Sequence, residues 1–341
     1  MIESKLSDFD FFVPDELIAQ SPIENRDESR LLHYNRSSTS IKHHKFKEFC
    51  SIIPPNSVLV FNNTKVIKAR VLATKSTGAT IECFFLHPLS ATTWTVMLKN
   101  GRKVSEGDSL VVHDHQIKIH SKNGKYATAE IIGIKQGIDF LDAFGQTPLP
   151  PYIKSDNPNS HESRYETIFA SVPGAVAAPT ASLHFTDDVF AQLKSKNIDI
   201  IFITLHVGLG TFNPIKTCNI LDHAMHYETY IITPDAAKQL NEANAHGKPI
   251  IAVGTTVARC LESNIKNNVF YAETASTNLY ITPGHTFKSI HGLLTNFHLP
   301  KSSLFILISA LIGRETAINC YQTAIDHRYR FFSYGDAMLI A

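Results

Sequence analysis

The chain has 341 residues, 43% of them apolar and 18% charged, which excludes an intrinsically disordered protein and leaves room for about two domains with a sizeable core. Thirty-two Lys and Arg against 31 Asp and Glu give a net charge of +1. No global basic field therefore holds nucleic acid, and any such partner has to be met by a local patch. Five cysteines are scattered without a C-x-x-C pair. They argue for a reducing compartment, read here as the cytoplasm, and for small buried hydrophobes in place of disulfides or a thiolate zinc site. The opening residues carry Glu3, Asp8 and Asp10 and no apolar stretch, so no signal peptide is expected. The longest apolar run, 304–312, falls short of the roughly 20 residues of a membrane span and reads as a core helix.

In chain order, residues 58–61 form a short apolar run that reads as a buried strand. From 66 to about 134 the chain changes texture. Short runs at 66–74, 80–87, 93–99, 109–113, 116–120 and 126–132 are separated by turn signals such as Asn100-Gly101 and Asn123-Gly124. Six short strands without a helical period predict a small closed barrel or sandwich. Beyond it, 187–196 has helical spacing and 198–207 is a β-branched run. Thr233-Pro234-Asp235 supplies a cap, a first-turn proline and an acid for a helix that stops near Gly247. Strands are predicted at 249–253, 278–282 and 293–297, and helices at 255–262, 302–311 and 316–327. Strands alternating with helices indicate an α/β sheet. The expected fold is a mixed α/β domain, residues 1–65 and 146–341, interrupted by an inserted all-β barrel domain at 66–145.

Among 17 histidines, His184, His206 and His298 are each flanked by large apolar residues beside a turn or strand end. A lone buried histidine is ordinary, but several at the ends of elements point to chemistry, since open α/β sheets bind ligands at the carboxyl ends of their strands. His226 lies two residues before Glu228, and in a strand the two would share a face. The loop from His206 through Gly208, Leu209, Gly210, Thr211 and Phe212 carries only G-x-G, and Asn213-Pro214 breaks any following helix. It does not read as a dinucleotide loop; its glycines permit close backbone approach to a ligand. The run of small residues 174–181 reads equally as a tightly packed loop or as a wall for a flat ring. Lys65, Lys68 and Arg70, with Arg26, Arg30, Arg328 and Arg330, are local basic clusters, suited either to solvent or to phosphate.

Several stretches together resemble one family. They include Leu17-Ile18-Ala19-Gln20-Ser21-Pro22, Arg26-Asp27-Glu28-Ser29-Arg30, Phe61-Asn62-Asn63-Thr64-Lys65 and Pro148-Leu149-Pro150-Pro151-Tyr152. Further along come Arg164-Tyr165-Glu166-Thr167, Ala177-Ala178-Pro179-Thr180-Ala181, Leu183-His184-Phe185, Leu205-His206-Val207-Gly208 and Met225-His226 with Glu228. Gly254-Thr255-Thr256 with Arg259, Thr295-Asn296-Phe297-His298-Leu299-Pro300-Lys301 and Phe332-Ser333-Tyr334-Gly335-Asp336 complete the set. In this order, nearly end to end, the chain resembles the S-adenosylmethionine:tRNA ribosyltransferase-isomerases of queuosine biosynthesis (the QueA family). It departs from the family's usual pattern at Asn63 and His291, where Asp is common, and at Thr256-Val257 before Arg259.

The resemblance implies an α/β domain with an inserted β-barrel. It also implies a transferase that uses S-adenosylmethionine as ribosyl donor, with no permanently bound cofactor. The acceptor would be 7-aminomethyl-7-deazaguanine at the wobble position of tRNA, and epoxyqueuosine-tRNA, adenine and methionine would be the products. Such a reaction removes a proton beside a sulfonium, helps adenine leave and deprotonates an amine, work for which histidine is poised near neutral pH. The expected catalytic set is His206, His226, Glu228, His298 and Asp336, the last holding the acceptor amine or ribose hydroxyls. Asn63, Thr64, Pro179, Thr180, His184, Gly208, Thr255, Arg259 and Asn296 are expected to bind substrate, and Lys65, Arg70 and Lys301 to meet tRNA. No metal is expected, because a cation beside a sulfonium is repelled. A monomer without a membrane partner is expected. The competing readings are an S-adenosylmethionine-dependent RNA methyltransferase, which would show a G-x-G-x-G loop after 58–61, and a non-catalytic tRNA-binding protein, which leaves the buried histidines unexplained.

Overall fold

The computed structural model describes residues 4–154, 161–208, 210 and 214–341. The chain begins with a hairpin, β1 (Arg30–Asn35) and β2 (Ser40–Lys45), then α1 (Phe49–Ile52), β3 (Val58–Asn62) and β4 (Thr64–Val66). Six strands follow: β5 (Arg70–Lys75), β6 (Thr80–Pro88), β7 (Thr93–Lys99), β8 (Ser109–Val112), β9 (His115–Asn123) and β10 (Tyr126–Ile132), closed by α2 (Gly137–Phe144). Next come β11 (Val172–Ala175), α3 (Asp187–Ser195), β12 (Asp199–Leu205), β13 (Glu228–Ile232), α4 (Pro234–Ala245) and β14 (Ile250–Val253). The chain ends with α5 (Thr255–Asn264), β15 (Glu273–Thr277), β16 (Gly292–Asn296), α6 (Ser303–Ile312), α7 (Arg314–Asp326) and β17 (Ala337–Ile340).

Among the described residues, nine strands form one sheet in the order β15-β13-β12-β3-β14-β16-β17-β1-β2. Its centre, β12-β3-β14-β16, is parallel. Every residue of β3, β14 and β16 is buried, as a sheet covered on both faces requires. The alternation of side chains divides the core in two. Val58 and Val60 pack with Val257, Ala258 and Leu261 of α5, while Leu59 and Phe61 face Phe49, Val189 and Leu193 on the α1 and α3 side. Helix α4 starts as its sequence dictates, with Thr233 Oγ1 accepting the Ala236 N–H and Pro234 in the first turn. Helix α6 is the core helix expected from its apolar run, and among the described residues no single helix is long and apolar enough to cross a membrane.

The antiparallel strands differ from the sequence reading. The strand expected at 278–282 lies at β15, Glu273–Thr277, paired with β13 from Glu228↔Thr277 to Ile232↔Glu273. Thr277 ends it, because its Oγ1 bonds Ser263 Oγ at 2.5 Å and accepts the Leu279 N–H at 3.0 Å, turning the chain away. Of the five cysteines, four are buried as expected, but Cys218 is exposed: its carbonyl accepts the Leu6 N–H at 2.9 Å while the thiol faces solvent.

The six strands β10-β7-β6-β5-β8-β9 close into a barrel whose interior holds Val71, Ala73, Cys83, Val96, Leu110 and Ile117. The run expected at 66–74 is divided. The Ala69 N–H bonds the Ile67 carbonyl at 2.7 Å. That tight turn separates β4, which pairs in parallel with β11, from β5, which enters the barrel. Arg70 and Gln146 exchange backbone hydrogen bonds of 3.2 and 2.8 Å, so the chain enters and leaves the barrel side by side. Phe140 and Leu141 of α2 join the barrel's core together with Val176 of the sheet domain.

Candidate functional site

The four parallel strands end together, β3 at Asn62, β12 at Leu205, β14 at Val253 and β16 at Asn296. A cavity of about 470 Å³ opens beside these ends, a size suited to a small organic ligand. Pro179, Thr180, Thr255, Asn296, His298 and Lys301 line it, as do Tyr152, Val207, Phe332 and Ser333, which sequence reasoning did not select. Tyr152 and Ser333 both lie within stretches that carry the family resemblance. Residue type alone marked neither, since a Tyr or Ser is ordinary in any loop.

The cavity wall is built from local backbone choices. Gly254 has φ +101°, a region closed to most residues, and turns β14 into α5 so that Thr255 and Thr256 face the cavity. Lys301 and Phe332 adopt left-handed φ of 55° and 72°. Non-glycine residues held there store on the order of 1–3 kcal/mol each, a cost that clusters at functional sites. Phe332 stacks on Tyr152 with ring centroids 4.3 Å apart, and Tyr152 Oη is hydrogen-bonded to Ser333 Oγ. At the rim, Lys301 pairs with Asp10 at 2.6 Å with both side chains about half exposed.

His298 Nε2 bonds Thr295 Oγ1 at 2.9 Å, and the His298 N–H donates to Tyr321 Oη at 3.1 Å. Burial pushes the imidazole down to about 3, so it is neutral at pH 7. Behind the wall a hydrogen-bonded chain runs inward. Thr180 Oγ1 donates to Asn296 Oδ1 at 2.9 Å, Asn296 Nδ2 donates to His184 Nε2 at 3.2 Å, and His184 Nδ1 meets Ser29 Oγ at 2.8 Å. His184 is buried, stacks on Phe46 at 5.0 Å, and is pushed down to about 4 by burial.

A second group lies on the next strand ends. His206 Nδ1 is 2.9 Å from Thr64 Oγ1, its N–H donates to Thr229 O at 2.9 Å, and burial lowers its pKa. Its ring rests on Gly174, where an added Cβ would lie 2.6 Å from a ring carbon. Asn63 Oδ1 accepts from Thr204 Oγ1 at 2.7 Å. Glu228 Oε1 accepts the Gly208 N–H at 2.9 Å, while its Oε2 pairs with Arg259, whose Nε donates to Leu279 O at 3.0 Å. Glu228 and Arg259 are both buried, with 3% side-chain exposure each. Val207, between His206 and Gly208, belongs to the cavity lining and joins the two groups.

Two residues, His226 and Asp336, stand apart from the arrangement expected. His226 is exposed and precedes β13, which begins at Glu228; its ring packs against Gly210, so the two do not share a strand face. Asp336 is not among the cavity-lining residues. Its Oδ1 accepts the Arg30 N–H at 2.8 Å, and its Oδ2 accepts the Arg330 N–H at 2.7 Å and the Arg30 guanidinium at 2.9 Å, tying β1 to the turn before β17. Leu209, Thr211, Phe212 and Asn213 lie outside the described residues. Of the cations expected at tRNA, Lys65 is exposed, Arg70 pairs with Glu82 at 3.1 Å and Lys301 pairs with Asp10. Among the described residues, no group of three or more His, Cys, Asp or Glu is gathered for a metal ion.

Known proteins resemble the whole chain. A family model described as queuosine biosynthesis protein matches residues 6–340. A protein of Carboxydothermus hydrogenoformans named S-adenosylmethionine:tRNA ribosyltransferase-isomerase is 45% identical over 340 residues, covering 98% of this chain and 99% of that one. A protein of the same name from Staphylococcus aureus is 42% identical over 344 residues, with the same coverage. The crystal structure of S-adenosylmethionine tRNA ribosyltransferase from Thermotoga maritima superposes with a TM-score of 0.57 at 30% identity, covering 98% of this chain and 100% of that one. With a family model spanning nearly every residue and relatives above 40% identity end to end, the chain belongs to the S-adenosylmethionine:tRNA ribosyltransferase-isomerase family of queuosine biosynthesis.

Proposed function

We propose that this protein transfers the ribosyl group of S-adenosylmethionine to 7-aminomethyl-7-deazaguanine at the tRNA wobble position and isomerises it, giving epoxyqueuosine-tRNA with release of adenine and methionine. The observation that carries this reading is identity above 40%, over nearly the full length, to relatives of that name. The cavity's chemistry suits the donor. The wall Ala178–Pro179–Thr180–Ala181 and the Phe332 ring are apolar surfaces for a nucleoside, while the threonines and Asn296 supply hydrogen bonds. His298 and His206, kept neutral by burial, each hold one ring N–H and one unprotonated nitrogen, so they can accept a proton and are not cationic acids. In this reading they serve as bases, His298 on the cavity wall and His206 beside Val207, while Glu228 and Arg259 hold the loop between them. Tyr152, whose phenol burial raises to about 12, keeps its proton and is a hydrogen-bond donor on the same wall. The protein acts as a monomer in the cytoplasm, with tRNA meeting exposed cations such as Lys65.

Incubation with S-adenosylmethionine labelled in the adenine ring, together with precursor tRNA, tests this directly. Free labelled adenine with ribosyl transfer to tRNA is expected. Labelled S-adenosylhomocysteine would make it a methyltransferase, and tRNA binding without turnover would make it a binding protein; either result overturns the reading.

A further inference from the structure

Asn296 ends β16, is buried to 2% exposure and lines the cavity. A carboxamide offers two N–H donors and two oxygen lone pairs. Thr180 takes one lone pair and His184 takes one N–H. One donor and one acceptor remain on a side chain that borders the ligand space. Adenine presents the matching edge, a 6-amino donor beside a ring-nitrogen acceptor, and asparagine meets that edge with two parallel hydrogen bonds. A 6-oxo purine presents an oxygen acceptor in the same place and mismatches an amide held in this orientation.

An unrestrained amide would turn over and accept either ring. His184 prevents this. Its Nδ1 faces Ser29 Oγ at 2.8 Å, and its Nε2 faces Asn296 Nδ2 at 3.2 Å. An amide nitrogen only donates, so Nε2 presents a lone pair to Asn296 and the ring's proton sits on Nδ1, facing the Ser29 hydroxyl. A turned amide would set Oδ1 against that lone pair. The ring is fixed by burial and by its stack on Phe46 at 5.0 Å, so it cannot swing aside to relieve the clash. Its burial also keeps it neutral, leaving no second N–H to satisfy a turned amide.

We propose that Asn296 reads the 6-amino edge of the donor's adenine, and that His184 is the positioning residue that locks the amide for this reading. The proposal deepens the ribosyl-transfer function above and rests on it. His184 then sets donor specificity instead of moving protons, which agrees with both its ring nitrogens being engaged.

The test compares S-adenosylmethionine with its 6-oxo analogue, S-inosylmethionine, using the full chain and precursor tRNA and measuring purine release. The wild type is expected to favour the 6-amino donor in kcat/KM by about ten- to hundredfold, the discrimination of one bidentate pair. His184→Leu frees the amide and is expected to bring the ratio to within about threefold of unity. Thr180→Val, which removes the other restraint, is expected to lower it several-fold, and Thr180→Ser to restore it. Should His184→Leu fail to fold, the two Thr180 variants decide. A His184 with only a structural role would slow both donors equally, and an unchanged ratio in His184→Leu or Thr180→Val overturns the proposal. So does a wild type that releases adenine and hypoxanthine equally well. A wild type that releases no adenine from S-adenosylmethionine overturns instead the ribosyl-transfer reading on which the proposal stands.

Discussion

His298 and His184 are two imidazoles with the same sequence context, an aromatic neighbour and a strand or helix end, yet they meet different fates. His298 keeps a place on the cavity wall, while His184 has both ring nitrogens engaged behind it. The sequence marks both as unusual; only packing shows which one reaches the ligand space. Both are pushed below their usual value by burial, to about 3 and about 4. The unfolded chain, titrating near 6.5, therefore binds more protons than the folded one between these values and pH 6.5. Their contribution to stability is complete above pH 6.5 and is lost as the pH falls toward 4, by up to about 1.4 kcal/mol per pH unit for each ring. Urea unfolding between pH 7 and pH 4 checks this, and His298→Gln should flatten the slope by about one ring's share. The same substitution removes a base from the cavity. It is expected to lower turnover by about 10²-fold or more with S-adenosylmethionine affinity near the wild-type value. Wild-type turnover in His298→Gln would assign the proton transfer to another group. Asp336 illustrates the limit of reading at this scale: an acid in a family motif suggests chemistry, and the fold gives both of its oxygens to Arg30 and Arg330.

Strands covered on both faces announce themselves, which is why β3, β14 and β16 were legible as apolar runs; the β-branched run of β12 and the caps and punctuation of the helices were legible beside them. The arms of the sheet were not. Strand β15 reads Glu-Thr-Ala-Ser-Thr with alternating half-buried and exposed residues, and β1 begins with Arg30 and carries His33. Their pairing is decided by partners far away in sequence, such as β1 with β17. One consequence is that Glu228, chosen for its nearness to His226, belongs with Arg259 across the β13–α5 contact. Glu228→Gln leaves the Arg259 charge buried without its counter-ion and is expected to cost about 3–5 kcal/mol, read as a fall in unfolding free energy. Replacing both partners together by apolar residues should cost less than the single change. A Glu228→Gln protein of unchanged stability would return the carboxylate to the list of bases. Gly174 gives a sharper test of the neighbouring element. Gly174→Ala drives a Cβ into the His206 ring and is expected to destabilise by about 1–3 kcal/mol, the usual cost of overpacking.

At the level of the whole molecule, the inserted barrel was the most legible feature, because six short runs with hairpin signals have few other closed solutions. Its edges were less so. Residue 66 lies in β4, which pairs with β11 in the sheet domain, and α2 adds a helical turn beneath the barrel that shares its core with Val176. Circular dichroism of the segment 66–145 alone is expected to show mainly strand, with the single short helix α2. A spectrum dominated by helix would refute the insert as a discrete unit. With a net charge of only +1, tRNA affinity has to come from a local patch and depend steeply on salt, each phosphate contact adding about −0.7 to −0.9 to the slope of log K against log salt. Lys65→Ala is expected to flatten that slope by about one contact, whereas Arg70 and Lys301, already paired with Glu82 and Asp10, should do so only if tRNA displaces those carboxylates. The central claim is that the cavity at the carboxyl ends of the parallel strands holds the ribosyl donor. A crystal structure of the complex with S-adenosylmethionine tests it most directly: the nucleoside is expected between residues 178–181 and Asn296, with His298 in contact, and density for it anywhere outside this cavity would contradict the account.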